Sequence, residues 1–99
     1  MIGPGAGGTL KLHLLSAHLE RNLGGPFNKM DPFVIIQVGA QEWRSNVCQN
    51  GGKNPSWTLQ FMVIEPGLFA HKMHIRVCDK DPLKAPLIGE AEVPLSIFT

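Results

Sequence analysis

Residues 29–38 read Lys29-Met30-Asp31-Pro32-Phe33-Val34-Ile35-Ile36-Gln37-Val38, an acidic loop that runs directly into an alternating apolar segment. Later in the chain, a second such segment ends on acidic residues and reads Ile75-Arg76-Val77-Cys78-Asp79-Lys80-Asp81. Alternation of this kind is typical of a half-buried β-strand. If the two strands belong to one sandwich, the side chains of Asp31, Asp79 and Asp81 come together at one end. The pattern therefore predicts a β fold and raises the question of a cation site.

The same two-residue period recurs along most of the chain and predicts six strands. The apolar positions that define them are Leu10, Leu12 and Leu14; Val34, Ile36 and Val38; residues 41–47, more weakly; Leu59, Phe61 and Val63; Met73, Ile75 and Val77; and Ala91, Val93 and Leu95. Clusters of turn residues separate these strands, and no helical stripe exceeds one or two turns. The predicted fold class is therefore all-β, an antiparallel β-sandwich.

Length and composition restrict the classes of protein to which the chain can belong. With 99 residues, 43% of them hydrophobic and 17% charged, it suits one small domain, and we expect residues 1–8 to be a flexible glycine-rich lead to a sandwich at 9–99. The formal net charge of +1 argues against a nucleic-acid partner. No export signal or membrane-spanning run precedes the fold, so Cys48 and Cys78 are predicted to be free thiols of a cytoplasmic protein. They form no signature of nucleophilic catalysis, and an enzyme is not predicted.

Five short motifs follow one another in the order found in a known family. They are Gly8-Thr9-Leu10-Lys11-Leu12, Met30-Asp31-Pro32-Phe33-Val34, Gly52-Lys53-Asn54-Pro55-Ser56-Trp57, Val77-Cys78-Asp79-Lys80-Asp81 and Ile88-Gly89-Glu90-Ala91. With them the chain resembles the C2 domain, a β-sandwich module that binds phospholipid membranes, often with calcium, and is similar to its small plant members of the elicitor-response kind. The resemblance implies a Greek-key sandwich of C2 type. Family members continue for two more strands, so we expect a sandwich incomplete at its C-terminus and a longer native chain.

Calcium is the cofactor that the resemblance implies, but two of the family's ligand positions differ here. Where calcium-binding members carry acidic or amide side chains, this chain has Gly25 and Pro86, which offer only backbone oxygen. The remaining candidate ligands are the carboxylates of Asp31, Asp79 and Asp81 and the carbonyls of Met30 and Lys80. Three bidentate carboxylates supply about six oxygens, the low end of the coordination number of Ca²⁺, so we predict weak or optional calcium binding. The alternative for Asp31 is a turn cap that accepts backbone N–H groups.

Apolar and basic residues flank these acids and predict a membrane contact. Leu23 and Phe27 precede Asp31, and Leu83 follows Asp81. Lys29 and Lys84 are suited to contact with anionic headgroups. The leading hypothesis is thus a peripheral module that associates reversibly with anionic phospholipid membranes. The alternative is a calcium-independent protein-interaction adaptor that uses its apolar loop tips or open sheet edges, with homodimerisation through those edges.

The two tryptophans receive different predictions. Trp57 follows Pro55-Ser56 at a strand start and is expected to pack at the edge of the core. For Trp43 two alternatives stay open: it packs in the core, or it lies with Arg44 on a surface that faces lipid headgroups.

Overall fold

Two antiparallel sheets make up the computed structural model, which describes residues 10–24, 29–64, 70–81 and 84–98, with the backbone alone at 58–61, 64 and 98. Its elements are β1 (Leu10–Ser16), β2 (Pro32–Val38), β3 (Gln41–Arg44), β4 (Ser56–Ile64), β5 (Lys72–Asp79), β6 (Leu87–Pro94) and a 3-10 helix (Leu95–Phe98). One sheet contains β1 and β4, and the other has the strand order β3-β2-β5-β6. The predicted all-β sandwich is confirmed. The predicted lead at 1–8 lies outside the described residues.

Strand β2 is central to the larger sheet, since it pairs with both β3 and β5. A two-residue turn joins it to β3, and Gly39 has a φ of 57° there, a backbone conformation that glycine adopts without steric cost. On its other side, β2 pairs along its full length with β5, from Pro32 opposite Asp79 to Val38 opposite Met73. This pairing brings the acidic end of β5 beside the start of β2.

The core lies between the two sheets and follows the predicted alternation. Val34, Ile36 and Val38 of β2 are buried in it together with Met73 and Val77 of β5. Trp57 of β4 is 3% exposed, and its indole Nε1 donates a hydrogen bond to the carbonyl of Pro32 at 3.3 Å. Trp57 was predicted at the edge of the core and is buried within it.

A second, smaller apolar cluster lies on the outer face of the larger sheet. Phe33, Ile35 and Cys78 are buried there, and Val47 packs against them. After β3 the chain continues alongside β2, where the amides of Ser45 and Cys48 donate to carbonyls of β2 residues at 2.8 Å. Residues 45–48 therefore continue along the edge of β2, and the side chain of Val47 packs on its outer face. Strand β2 is buried on both faces, although an alternating strand was predicted. The weak strand predicted at 41–47 ends at Arg44.

Strand β4 does not follow the predicted alternation. Val63, predicted on the apolar face, is 55% exposed, whereas its neighbour Met62 is 6% exposed and belongs to the core. The register explains this, since Met62 lies directly opposite Leu12, which packs against the core, and Val63 lies opposite the exposed Lys11. Directly opposed residues share a face of the sheet.

Two further expectations change in detail. Leu95 is buried as predicted but begins the 3-10 helix rather than extending β6, and its amide donates to the carbonyl of His71 at 2.8 Å. Trp43 packs against the core, while Arg44 points to the opposite face of β3 and pairs with Glu42 at 3.3 Å. Trp43 and Arg44 therefore do not share a lipid-facing surface. Within the described part of the chain, no helix has the length and apolar character needed to cross a bilayer.

Candidate functional site at the loop end

The start of β2 and the end of β5 place two of the predicted carboxylates side by side. Asp31 directly precedes Pro32, whose partner across the sheet is Asp79. The backbone amide of Asp31 donates a hydrogen bond to Oδ1 of Asp79 at 2.8 Å, and the carbonyl of Asp31 accepts one from the amide of Lys80 at 3.0 Å. The predicted proximity of the two acidic loops is therefore present. We call this end of the sandwich, formed by Leu23, Lys29–Asp31, Asp79–Asp81 and Lys84, the loop end.

The carboxylate of Asp31 holds a third segment against the same end. Its Oδ1 accepts the backbone N–H of Asn50 at 2.7 Å, in a turn where Asn50 has a φ of 56°. Asn tolerates this left-handed conformation better than most residues. Asp31 thus connects β2, β5 and the turn at residues 48–52. Asn50 was missed by the sequence reasoning, although its position in Asn50-Gly51-Gly52 is a turn signal.

Asp81 is positioned differently from Asp31 and Asp79. Strand β5 ends at Asp79, so Asp81 lies in the following loop, although the alternating segment was predicted to continue to residue 81. Its Oδ1 accepts the backbone N–H of Lys84 at 3.2 Å, the geometry of a turn cap. All three aspartates therefore accept a backbone N–H, which is the alternative role considered for Asp31.

The oxygen-rich end suits a hard cation by chemistry, but its arrangement is not that of a formed site. Among the described residues, no group of three His, Cys, Asp or Glu side chains is placed to hold a metal ion. Pro86, one of the substituted ligand positions, uses its carbonyl to accept the amide of Asp79 at 3.0 Å. The other, Gly25, lies outside the described residues. Calcium ligation by Asp31, Asp79 and Asp81 stays a prediction.

The two residues predicted to lend carbonyl oxygens have structural roles. The side chain of Met30 is fully buried, its Sδ accepts the amide of Leu23 at 3.3 Å, and its carbonyl accepts the amide of Gly52 at 3.0 Å. Lys80 is exposed and donates its amide to Asp31, as described above. Met30 therefore holds Leu23 and Gly52 beside the start of β2, a role that the sequence did not reveal.

Three of the five predicted membrane-contact residues lie in the part of the chain that the structure describes. Lys29 and Lys84 are exposed, and Leu23 is 38% exposed. Phe27 and Leu83 lie outside the described residues. The described part of the loop end therefore combines three exposed lysines, including Lys80, with one accessible apolar side chain.

Asp79→Ala is expected to destabilise the protein more than Asp81→Ala. Removing the Asp79 carboxylate leaves the half-buried amide of Asp31 without its acceptor, which costs about 1–3 kcal/mol of unfolding free energy. Asp81 is exposed, so water replaces its bond to Lys84 and the expected cost is below about 1 kcal/mol. Urea denaturation of both variants measures the difference. Equal losses would show that the Asp79 bond is not a structural link.

Comparison with known proteins decides the family. The family model described as "C2 domain" matches residues 8–98, which is nearly the whole chain. The chain belongs to the C2 domain family.

Relatives of this C2 domain include plant proteins and modules of extended synaptotagmins. It is 33% identical over 92 residues to elicitor-responsive protein 1 of Oryza sativa subsp. japonica, a match that covers 87% of this chain but 58% of the relative. A solved C2 domain-containing protein from a putative elicitor-responsive gene superposes with a TM-score of 0.74 at 27% identity, covering 97% of this chain and 70% of that one. A solved pair of C2 domains of extended synaptotagmin 2 matches with a TM-score of 0.74 at 25% identity, covering 98% of this chain and 33% of that one.

The two cysteines of the C2 domain differ in burial, and we expect the more buried one, Cys78, to react more slowly. Both are free, as predicted, but Cys48 is partly exposed and Cys78 is buried in the outer cluster. Burial raises the pKa of the Cys78 thiol above its ordinary value of 9.0, while Arg76 and Arg44 oppose the rise. The folded state favours the neutral thiol of Cys78. The resulting contribution to the free energy of unfolding is complete below pH 9.0 and is lost as the pH rises through the raised pKa of the folded state.

Alkylation of the native protein at pH 8 is therefore expected to label Cys48 well before Cys78, since the thiolate is the reactive form. Peptide mass spectrometry after a timed reaction with iodoacetamide measures the two rates. In urea the two rates should converge, which is the control for intrinsic reactivity. Faster labelling of Cys78 in the native state would contradict its burial.

Proposed function

We propose that this C2 domain is a peripheral phospholipid-binding module whose loop end meets an anionic membrane surface, with calcium as a weak or optional aid. The observation that supports the proposal is the arrangement of exposed Lys29, Lys80 and Lys84 around aspartates that already accept backbone N–H groups. Each basic side chain near an anionic surface contributes about 1 kcal/mol of attraction. Leu23 adds an apolar contact at the same end. The interaction is reversible and suits a cytoplasmic protein.

Calcium is optional in this proposal because the described residues supply only part of its coordination shell. Asp31 and Asp79 are the residues that would hold it, and each has an oxygen, Oδ2, beside the Oδ1 that accepts a backbone amide. Calcium takes about 6–8 oxygens, so two or three carboxylates leave much of its coordination to water or lipid. When bound, it would supply positive charge beside the lysines. The lysines attract an anionic surface without it, whereas the three aspartates of the loop end repel that surface, and calcium would offset this repulsion.

Co-sedimentation of the purified protein with vesicles tests this proposal. Phosphatidylcholine vesicles with and without phosphatidylserine are compared in calcium and in EGTA, each at two salt concentrations. We expect binding to the anionic vesicles in EGTA, weakened by salt because exposed charges are screened, and moderately stronger in calcium. Binding only in calcium would overturn the optional role of the metal, and binding in neither condition would overturn the lipid-binding proposal.

A protein-interaction adaptor is the second candidate function, and an open cleft beside β1 favours it. The cleft has a volume of about 430 Å³ and lies between residues 17–21 and the inner face of β5 and β6, where Ile75, Val77 and Ile88 line it. The amides of Ala17 and Leu19 donate to carbonyls on the β4 side. In an extended segment the backbone groups of successive residues point to alternate sides. Those of His18, which lies between Ala17 and Leu19, therefore point toward the cleft.

Such an edge suits strand addition by an extended peptide or by a second copy. Light scattering during size-exclusion chromatography tests the self-association branch. A mass of 10.8 kDa at all concentrations would exclude the homodimer. Partner binding that is unaffected by EGTA and by anionic vesicles would favour the adaptor over the lipid-binding module.

A further inference from the structure

A pocket of about 150 Å³ lies between the two sheets, and none of the described residues of the loop end lines it. Five strands contribute to its walls. The apolar residues that matter for its chemistry are Leu12, Leu14, Ile36, Trp43, Met62 and Met73. Apart from His13, the described lining is hydrophobic, and it contains no carboxylate or ammonium group.

The lining decides what can occupy this space. A buried water needs about 2–4 polar partners, which aliphatic walls do not provide. An enclosed apolar cavity of about this volume, with aliphatic and aromatic walls, accepts benzene or xenon, so the space suits a single ring. The pocket is partly open, with Leu12 and Leu14 half-buried at its β1 wall, so a ligand can reach it without unfolding of the core. We propose that this pocket is a binding site for an uncharged apolar molecule about the size of one benzene ring.

Trp43 and Met62 set the size limit of the site. A neighbouring pocket of about 100 Å³ is lined by these two residues and by Ile36, so the same side chains separate the two spaces. Trp43 is half-buried on the edge strand β3 and packs against the core. A ligand longer than one ring would have to displace one of these side chains. A charged ligand would lose its hydration with no opposite charge in the described lining to replace it.

Methionine methyl groups provide a direct test with the unmodified protein. Met62 and Met73 line the pocket, whereas Met30 is fully buried elsewhere and serves as an internal control. With ¹³C-methyl methionine, titration of benzene should shift the Met62 and Met73 resonances saturably, with half-saturation on the order of 1 mM, and leave Met30 unchanged. Benzoate at the same concentrations should shift none of them. The absence of a saturable shift, or an equal shift of Met30, would overturn the proposal.

A matched pair of substitutions locates the site. Leu14→Phe places a ring in the pocket and should raise the half-saturating benzene concentration at least about tenfold, because it removes the apolar volume that the ligand fills. Leu15→Phe is the control, since Leu15 is 73% exposed and does not line the pocket. If Leu14→Phe does not fold, xenon titration of the unmodified protein replaces it. Xenon should shift the methyl groups of Met62 and Met73, and failure to do so would count against the site.

Discussion

Replacing Trp57 with alanine is expected to lower the free energy of unfolding by about 3–5 kcal/mol, a large fraction of the stability of a domain this small. The side chain is 3% exposed, and its removal leaves a cavity that the sheets cannot fully close. It also removes the donor to the Pro32 carbonyl, which still accepts the amide of Cys48 at 2.8 Å. Urea denaturation followed by far-UV circular dichroism measures the loss.

Two further variants separate packing from hydrogen bonding at this position. Trp57→Phe keeps a ring but loses the indole donor, so it should fall between the wild type and Trp57→Ala. Trp43→Ala is the comparison at the edge strand, where the side chain is half-buried, and a smaller loss is expected. If Trp43→Ala were the more damaging change, the core would not centre on Trp57.

Neutralising the lysines of the loop end is expected to weaken binding to anionic vesicles about 100-fold. The triple variant Lys29→Gln, Lys80→Gln and Lys84→Gln removes three exposed positive charges, each worth about 1 kcal/mol near such a surface. The measurement is the partition coefficient for phosphatidylserine-containing vesicles in EGTA, where calcium makes no contribution.

The control is a triple variant with the same change in net charge on other surfaces. Lys11, Arg44 and Lys72 are exposed residues of β1, β3 and β5, and their replacement by Gln should reduce binding much less. An equal reduction by both triple variants would mean that net charge, rather than the loop end, governs the attraction. No reduction by either would reject the proposed surface.

The existence of β2 and β5, with their acidic ends at one end of a sandwich, was the part of the fold that the sequence predicted best. Each strand has a clear two-residue period, and the buried face at Val34, Ile36 and Val38 is the predicted one. Burial of Phe33 and Ile35 on the other face could not be predicted, because it involves contacts with Cys78 of β5 and with Val47, which are distant in sequence. The parity of β4 was wrong for a similar reason, since the register that places Met62 opposite Leu12 is a tertiary feature that periodicity does not record.

At the loop end, the sequence predicted which carboxylates lie near one another but not what they bind. The adjacency of Asp31 and Asp79 follows from strand pairing alone. The bond from the Asn50 amide to Asp31 depends on the left-handed conformation of a turn that is distant in sequence. The bond from the Leu23 amide to the Met30 sulfur has no sequence motif either, because methionine is usually interpreted only as an apolar residue.

The Gly39 turn has a consequence for the order in which the chain folds. It joins β2 and β3 through two residues, so this hairpin closes with little loss of chain entropy. By contrast, the pairing of Ile36 with Ile75 and of Leu12 with Met62 requires long loops to close first. Sheets dominated by such distant contacts fold in milliseconds to seconds. The β2–β3 hairpin is therefore expected to form early and to act as the template on which β5 docks, with the β1–β4 sheet completing the core last.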